Sequence, residues 1–129
     1  MILDTSFIID LLQGDSSAVE KLDELEERGE VIFLTPVNAF ELHYGAKKHG
    51  NEEELEEIEL ILGSARILDI EWKDGLRAAE LLLDLEKDGE MIEVFDVVTA
   101  VIAKKMDEKV LTRNVDHFKR VEGLEVEAY

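Results

Sequence analysis

Three acidic residues, far apart along the 129 residues of the chain, each follow a short apolar run. They are Asp4, which ends the run MILD; Glu41, within TPVNAFEL; and Asp96, which opens DVVTA. Asp4 and Asp96 could each act simply as a helix N-cap, a position where aspartate is preferred. Glu41 has no such structural role, because it lies on or beside the apolar stripe of its own helix. A carboxylate in that position is costly unless it swings out to solvent or is accompanied by a cation or by strong donors.

These residue types indicate metal chemistry if the fold brings them together. Three carboxylates without a balancing basic cluster would repel one another, and a Mg²⁺ or Mn²⁺ ion removes that repulsion. Such ions orient a water molecule, lower its pKa and stabilise a leaving oxygen, and they are the usual means of cutting phosphodiesters. A further polar cluster, Thr112–Asp116, follows a later apolar run and is expected at the same edge of the fold. Taken alone, Thr112 and Asn114 are ordinary turn residues.

Composition limits the classes of protein to consider. An apolar fraction of 46% and a charged fraction of 36% indicate a soluble globular chain, and 129 residues suffice for one domain spanning residues 1–129. The sequence shows no apolar stretch of membrane-spanning length, no signal-peptide pattern and no cysteine. We therefore expect a cytoplasmic protein with no membrane partner, no disulfides and no thiolate metal site.

The net charge of −18 is unusual for a chain that would bind nucleic acid. Residues 104–120 hold six basic residues against three acidic ones, so this segment alone carries a net positive charge. The acidic residues are densest at 52–59, which we interpret as the solvent face of a helix. The basic segment lies beside Asp96 and Thr112 in the sequence, where it offers a phosphate backbone one approach.

Short apolar runs alternate with helical patterns along the whole chain. The predicted strands are Met1–Asp4, Val31–Leu34, Ala65–Leu68, Val110–Thr112 and Leu124–Glu127. Helical patterns cover residues 5–13, 15–28, 36–48, 51–62, 72–88 and 95–105. This alternation predicts an α/β fold, with three α/β/α layers around a parallel sheet of about five strands. Ligands bind such sheets beyond the carboxyl ends of the strands, which is where Asp4 and Thr112 lie.

Four segments of the sequence together resemble the PIN domain family, and specifically its VapC-type toxin ribonucleases. They are MILDTSFIIDLL, TPVNAFELHYGA, FDVVTAVIAKK and VLTRNVDHFKRVEGLEV, in the family's order and at its spacing over nearly the whole chain. The resemblance implies that Asp4, Glu41 and Asp96 are the catalytic, metal-binding acids. It also implies that Ser6 and Thr112 are supporting polar residues beside them.

One position departs from the family's pattern. Many members carry aspartate where this chain has Asn114, and some carry the acid just before the aromatic residue, where this chain has His117. Asp116 lies between these two positions and is a candidate substitute, so Asn114 and Asp116 both stay in the supporting set. Whether the site holds one metal ion or two is left open by this departure.

The resemblance implies a Mg²⁺- or Mn²⁺-dependent endoribonuclease, the toxin of a toxin–antitoxin pair, that cuts structured or single-stranded RNA. It further implies a homodimer and a small antitoxin protein whose tail occupies the site. We expect the dimer contact on the helices at 36–48 and 51–62, with Tyr44, Leu55 and Ile58 as apolar contributors. The acidic surroundings favour an antitoxin tail that carries arginine or lysine.

Two other classes of protein with a similar α/β plan do not fit this sequence. A phosphate-accepting receiver domain needs a second acid near Asp4 and a lysine at the end of its fifth strand, where this chain has Glu127 and Ala128. A haloacid-dehalogenase phosphatase needs aspartate two residues after its first one, where Ser6 stands. A non-catalytic PIN-like interaction module remains an alternative, and Asn114 is the one residue that points to it.

Overall fold

A computed structural model describes all 129 residues, and its centre is a five-stranded, all-parallel sheet. The strands are β1 (Ile2–Leu3), β2 (Phe33–Leu34), β3 (Arg66–Ile67), β4 (Val110–Leu111) and β5 (Val126–Glu127), in the order β3-β2-β1-β4-β5. Each strand is shorter than its apolar run predicts. Backbone bonds between strands nevertheless continue past these bounds, as where the amides of Asp4, Leu68 and Thr112 donate to the neighbouring strand.

Seven helices cover the sheet. They are α1 (Thr5–Leu12), α2 (Ser16–Glu27), α3 (Pro36–His49), α4 (Glu52–Ser64), α5 (Trp72–Lys87), α6 (Val94–Met106) and α7 (Val115–Phe118). Of these, α7 is absent from the helical patterns predicted from the sequence. Only four residues long, α7 gives too little periodicity to be recognised.

The apolar residues form two clusters, one on each face of the sheet. Leu3 and Leu111 point into a cluster with buried residues of α1 to α4, whereas Ile2 and Val110 point into a cluster with residues of α5, α6 and α7. This alternation follows from the two-residue period of a strand. It confirms the predicted three-layer α/β/α arrangement around a parallel sheet.

The strand order determines where a site can form. The chain passes from β1 outward to β2 and β3 on one side, then returns to place β4 against the other side of β1. The order therefore reverses between β1 and β4, and such switch points open a crevice beyond the carboxyl ends of the strands. Asp4 and Thr112 are the residues that directly follow these two strands. None of the helices is long and apolar enough to cross a membrane.

Candidate metal centre

A cleft of about 350 Å³ opens at this switch point and contains most of the predicted site. Its lining residues are Asp4, Thr5, Ser6, Ile9, Glu41, Glu93, Phe95, Asp96 and Asn114. The fold thus brings together the three candidate acids, which come from the end of β1, from α3 and from the first turn of α6. Thr112 lies fully buried just behind Asp4. Asp116 lies exposed on α7 and does not line the cleft.

Two hydroxyl groups orient the carboxylate of Asp4. Oγ of Ser6 and Oγ1 of Thr112 each donate to Oδ2 of Asp4 at 2.7 Å. The backbone amide of Asn114 donates to Oγ1 of Thr112 at 2.8 Å, so the threonine proton is directed to Asp4. Both donors thus engage the same oxygen, and Oδ1 of Asp4 is left without a protein donor.

The start of α3 fixes Glu41 relative to Asp4. Thr35 and Asn38 form a capping box, which sets where α3 begins and places Glu41 one turn later. The amide nitrogen of Asn38 donates to the carbonyl of Leu3 and to Oγ1 of Thr5, both at 3.0 Å, which ties α3 to the end of β1. Oγ1 of Thr5 in turn donates to Oε2 of Glu41 at 2.5 Å.

Glu41 is held in an unfavourable electrostatic environment. Burial raises the pKa of its carboxyl group above the ordinary value, and the negative charges of Asp4, Asp96 and Glu93 raise it further, although the hydrogen bond from Thr5 acts in the opposite sense. A carboxylate under such strain gains most from a nearby cation.

Asp96 has an imidazole partner. Nδ1 of His117 lies 3.0 Å from Oδ2 of Asp96, and the side-chain nitrogen of Asn114 lies 3.1 Å from the same Nδ1. Burial raises the pKa of the Asp96 carboxyl group, and the hydrogen bond with His117 partly offsets this effect. In the sequence, His117 stands where some family members carry an acid, and the structure places its imidazole against a candidate ligand.

Four residues in or around the site were not identified from the sequence as site residues. Asn38 and Thr5 position Glu41, His117 contacts Asp96, and Glu93 lines the cleft. Only the first had a readable signal, because Thr-Pro-x-Asn at a helix start is a capping pattern. The other three depend on how α1, α6 and α7 pack against one another.

The donor set of the cleft fits a hard divalent cation. Carboxylates and amide oxygens are the ligand types that Mg²⁺ and Mn²⁺ prefer, and the cleft offers four carboxylates and the amide oxygen of Asn114. No lysine or arginine lines the cleft to neutralise them. In the present conformation, however, no three acidic or histidine side chains converge closely enough to hold one ion. Glu41 and Asp96 instead turn toward Thr5 and His117, so holding an ion requires rotation of these side chains.

The basic segment 104–120 is largely engaged by internal partners. Lys105 pairs with buried Asp74 at 2.7 Å, and Arg113 pairs with Asp10 at 3.1 Å. Lys109 lies 3.4 Å from Glu125. Further, the side chains of Lys104 and Arg120 donate to backbone carbonyls. The segment therefore offers RNA less free positive charge than its composition suggests.

Known proteins are similar to this chain over nearly its whole length. The PIN domain profile matches residues 1–124. Ribonuclease VapC1 of Rickettsia felis is 31% identical over 130 residues, covering 98% of this chain and 93% of that protein. Ribonuclease VapC2 of Haemophilus influenzae is 26% identical over 97% of this chain and 94% of its own length.

A solved structure gives the same result for the fold. The crystal structure of VapBC2 from Rickettsia felis bound to a DNA fragment from its promoter contains a chain that superposes with a TM-score of 0.86 at 25% identity. The match covers 99% of this chain and 97% of that one. The chain belongs to the PIN domain family.

Proposed function

We propose that this chain is a VapC-type endoribonuclease, the toxin of a toxin–antitoxin pair, which hydrolyses RNA phosphodiesters with Mg²⁺ or Mn²⁺ held by Asp4, Glu41 and Asp96. The observation that carries the proposal is that these three carboxylates line one cleft that contains no lysine or arginine. The 31% identity to a ribonuclease VapC supports the same activity. The cytoplasm is the compartment that suits an RNA substrate.

The protein groups around the cleft have distinct roles in this proposal. Ser6 and Thr112 hold Asp4 in one orientation and leave its second oxygen available. Glu41 and Asp96 would exchange their bonds to Thr5 and His117 for the cation, which relieves the mutual repulsion of the carboxylates. A bound ion of this kind lowers the pKa of an attacking water and stabilises charge on the leaving oxygen.

The direct test combines metal binding with RNA cleavage. Wild type should bind Mn²⁺ in calorimetry and cut RNA in Mg²⁺ or Mn²⁺ but not in chelator. Asp4→Asn should lose both properties while keeping its circular dichroism spectrum. Asp23→Asn is the matched control, because Asp23 lies exposed on α2 and away from the cleft. Equal cleavage by the two variants would contradict the assignment of Asp4.

A groove outside the cleft suits the antitoxin. The space between α1, α2 and α4 encloses about 720 Å³, and ten of its thirteen lining residues are hydrophobic. An acidic trough joins this groove to the active cleft. Its end at the groove is marked by Glu57, and Gln13 and Glu54 lie along it. Its other end reaches the cleft at Ile9 and Glu41. The solved relatives in this family are described as VapBC complexes and toxin–antitoxin complexes.

We therefore propose that a small antitoxin places an apolar segment in the groove and a basic segment along the trough. An arginine fork matches a carboxylate better than a lysine point charge does, so arginine is expected near Glu41. Glu54→Lys should weaken binding of the product of the adjacent small open reading frame. Glu20→Lys, an exposed position on α2 outside the trough, should not. Equal affinity of both variants would place the partner elsewhere.

Two of the three apolar side chains predicted for the homodimer contact are unavailable for it. Leu55 and Ile58 are only 6% and 1% exposed, because α4 packs them into its own core, so they cannot contact a second copy. Tyr44 stays available at 57% exposed. Trp72 and Leu76 of α5 are exposed as well, at 73% and 57%. We propose that these exposed apolar faces of α3 and α5 pair in a dimer, which sizing with mass measurement of wild type and Trp72→Glu will test.

A further inference from the structure

Asn114 leaves the cleft one acid short of the pattern that many family members show. The residue lines the cleft, but its amide carries no charge. Asp116, the substitute expected from the sequence, lies exposed on α7 and outside the cleft lining. Neither position therefore supplies a fourth carboxylate.

Glu93 is the one additional acid that lines this cleft. It is the N-cap residue of α6, and its carbonyl accepts the amide of Val97 at 3.0 Å. An N-cap side chain usually accepts a backbone amide of the first turn, but the Glu93 carboxylate makes no such bond. The Glu93 carboxylate also forms no ion pair. The neighbouring residue Ile92 is buried and anchors the segment.

Glu93 shares this cleft with Asp4, Glu41 and Asp96, which come from different elements of the fold. Its carboxylate has no hydrogen bond in the helix cap. Four carboxylates that line one cleft without a lysine or arginine repel one another, and a cation would remove that repulsion.

We propose that Glu93 is the fourth carboxylate of the metal centre and supplies the ligand charge that Asn114 lacks. The proposal rests on the metal-dependent function proposed above. It adds a residue from the loop before α6 to a site that otherwise comes from β1, α3 and the first turn of α6. Glu93 is exposed, and its side chain makes no helix-cap hydrogen bond that rotation toward an ion held by the other three acids would break.

Calorimetric titration with Mn²⁺ tests this assignment. Glu93→Gln should weaken Mn²⁺ binding about tenfold or more, because even residues that only hydrogen-bond to a metal ligand change the metal affinity by this much. Glu93→Asp should weaken it comparably, because the shorter side chain keeps the charge but loses the reach. Glu90→Gln is the matched control, a neighbouring exposed glutamate outside the cleft, and its Mn²⁺ affinity should stay within about twofold, since screening limits distant charges.

The double variant Glu93→Gln with Asn114→Asp provides a rescue. This variant places a fourth acid at position 114 instead of position 93, and it should recover most of the Mn²⁺ affinity. Wild-type affinity in Glu93→Asp together with a small loss in Glu93→Gln would overturn the proposal, because the charge would then act only at a distance. Unchanged affinity in both would overturn it as well.

The same titrations separate this proposal from the proposed function. If wild type binds Mn²⁺ but cuts no RNA, the function fails and the Glu93 comparison still decides the ligand. If wild type binds no Mn²⁺, both fail together. Circular dichroism and thermal melting of each variant in chelator confirm that the fold is intact before the affinities are compared.

Discussion

Replacement of Thr112 by valine tests how the fold orients Asp4. Valine has nearly the shape of threonine, so Thr112→Val removes the hydroxyl from a fully buried position without opening a cavity. The variant loses the 2.7 Å bond to the Asp4 carboxylate and leaves the amide of Asn114 without its 2.8 Å acceptor. A hydrogen bond to a charged group contributes about 1.5–3 kcal/mol, and the second bond about 1 kcal/mol.

The expected loss of unfolding free energy is therefore about 3 kcal/mol. At roughly 4 °C per kcal/mol for a domain of this size, the melting temperature should fall by about 12 °C. Thermal unfolding in chelator at neutral pH, followed by circular dichroism, measures this loss without a contribution from bound metal. Mn²⁺ titration of the same variant should show weaker binding, because Asp4 loses one of its two orienting donors.

Ser6→Ala is the matched comparison. Ser6 donates to the same oxygen of Asp4 at the same 2.7 Å, but it is partly exposed and accepts no backbone amide from this network. Water can replace its hydroxyl, so the loss should be only about 1 kcal/mol. A Thr112→Val protein that melts within about 2 °C of wild type, or a larger loss in Ser6→Ala, would refute the role assigned to Thr112.

Three further outcomes are expected. Burial raises the pKa of the Glu41 carboxyl group in the folded state, so ionisation of this group lowers stability as the pH rises from below 4.5 through the raised pKa. Glu41→Gln should therefore melt at a higher temperature than wild type in chelator at neutral pH, and the difference should be smaller at acidic pH. Asp96→Asn should abolish metal-dependent RNA cleavage with an unchanged circular dichroism spectrum, and undiminished cleavage by pure protein would exclude Asp96 as a ligand. Mn²⁺ at a hundredfold excess over its dissociation constant should stabilise wild type by about 2.7 kcal/mol and Glu41→Gln by much less, as measured from melting curves.

The alternation of apolar runs with helical patterns was sufficient to predict the sheet. Each predicted strand exists, and the residues after β1 and β4 meet at the switch point as expected. The first and last residues of the strands were less predictable, because an apolar run indicates burial and not hydrogen bonding between strands. In β3, for instance, Arg66 and Ile67 are exposed at the sheet edge, so burial gives no signal there.

The position of Glu41 followed from local sequence, whereas its neighbours did not. The helical pattern at 36–48 and its apolar stripe locate Glu41 on α3 without any tertiary information. His117 and Glu93 reach the site because buried Phe118 and Ile92 anchor the short segments that carry them. Such anchoring depends on contacts with distant elements, which a local pattern cannot reveal.

The dimer prediction was wrong in part for a related reason. The stripe with Leu55 and Ile58 correctly indicated an apolar face on α4. A stripe of this kind does not distinguish burial within the chain from burial against a second copy. In the structure α4 packs against α3 and the rest of its own core, so those two side chains are used internally.

The internal pairing of the basic segment has a consequence for the kinetics of encounter. With a net charge of −18, and with Lys105 and Arg113 already held by aspartates, the protein repels a polyanion at long range. Added monovalent salt shortens the screening length and should speed the approach of RNA, the reverse of the usual behaviour of nucleic-acid-binding proteins. At low ionic strength, cleavage measured at RNA concentrations below KM should therefore rise with added monovalent salt.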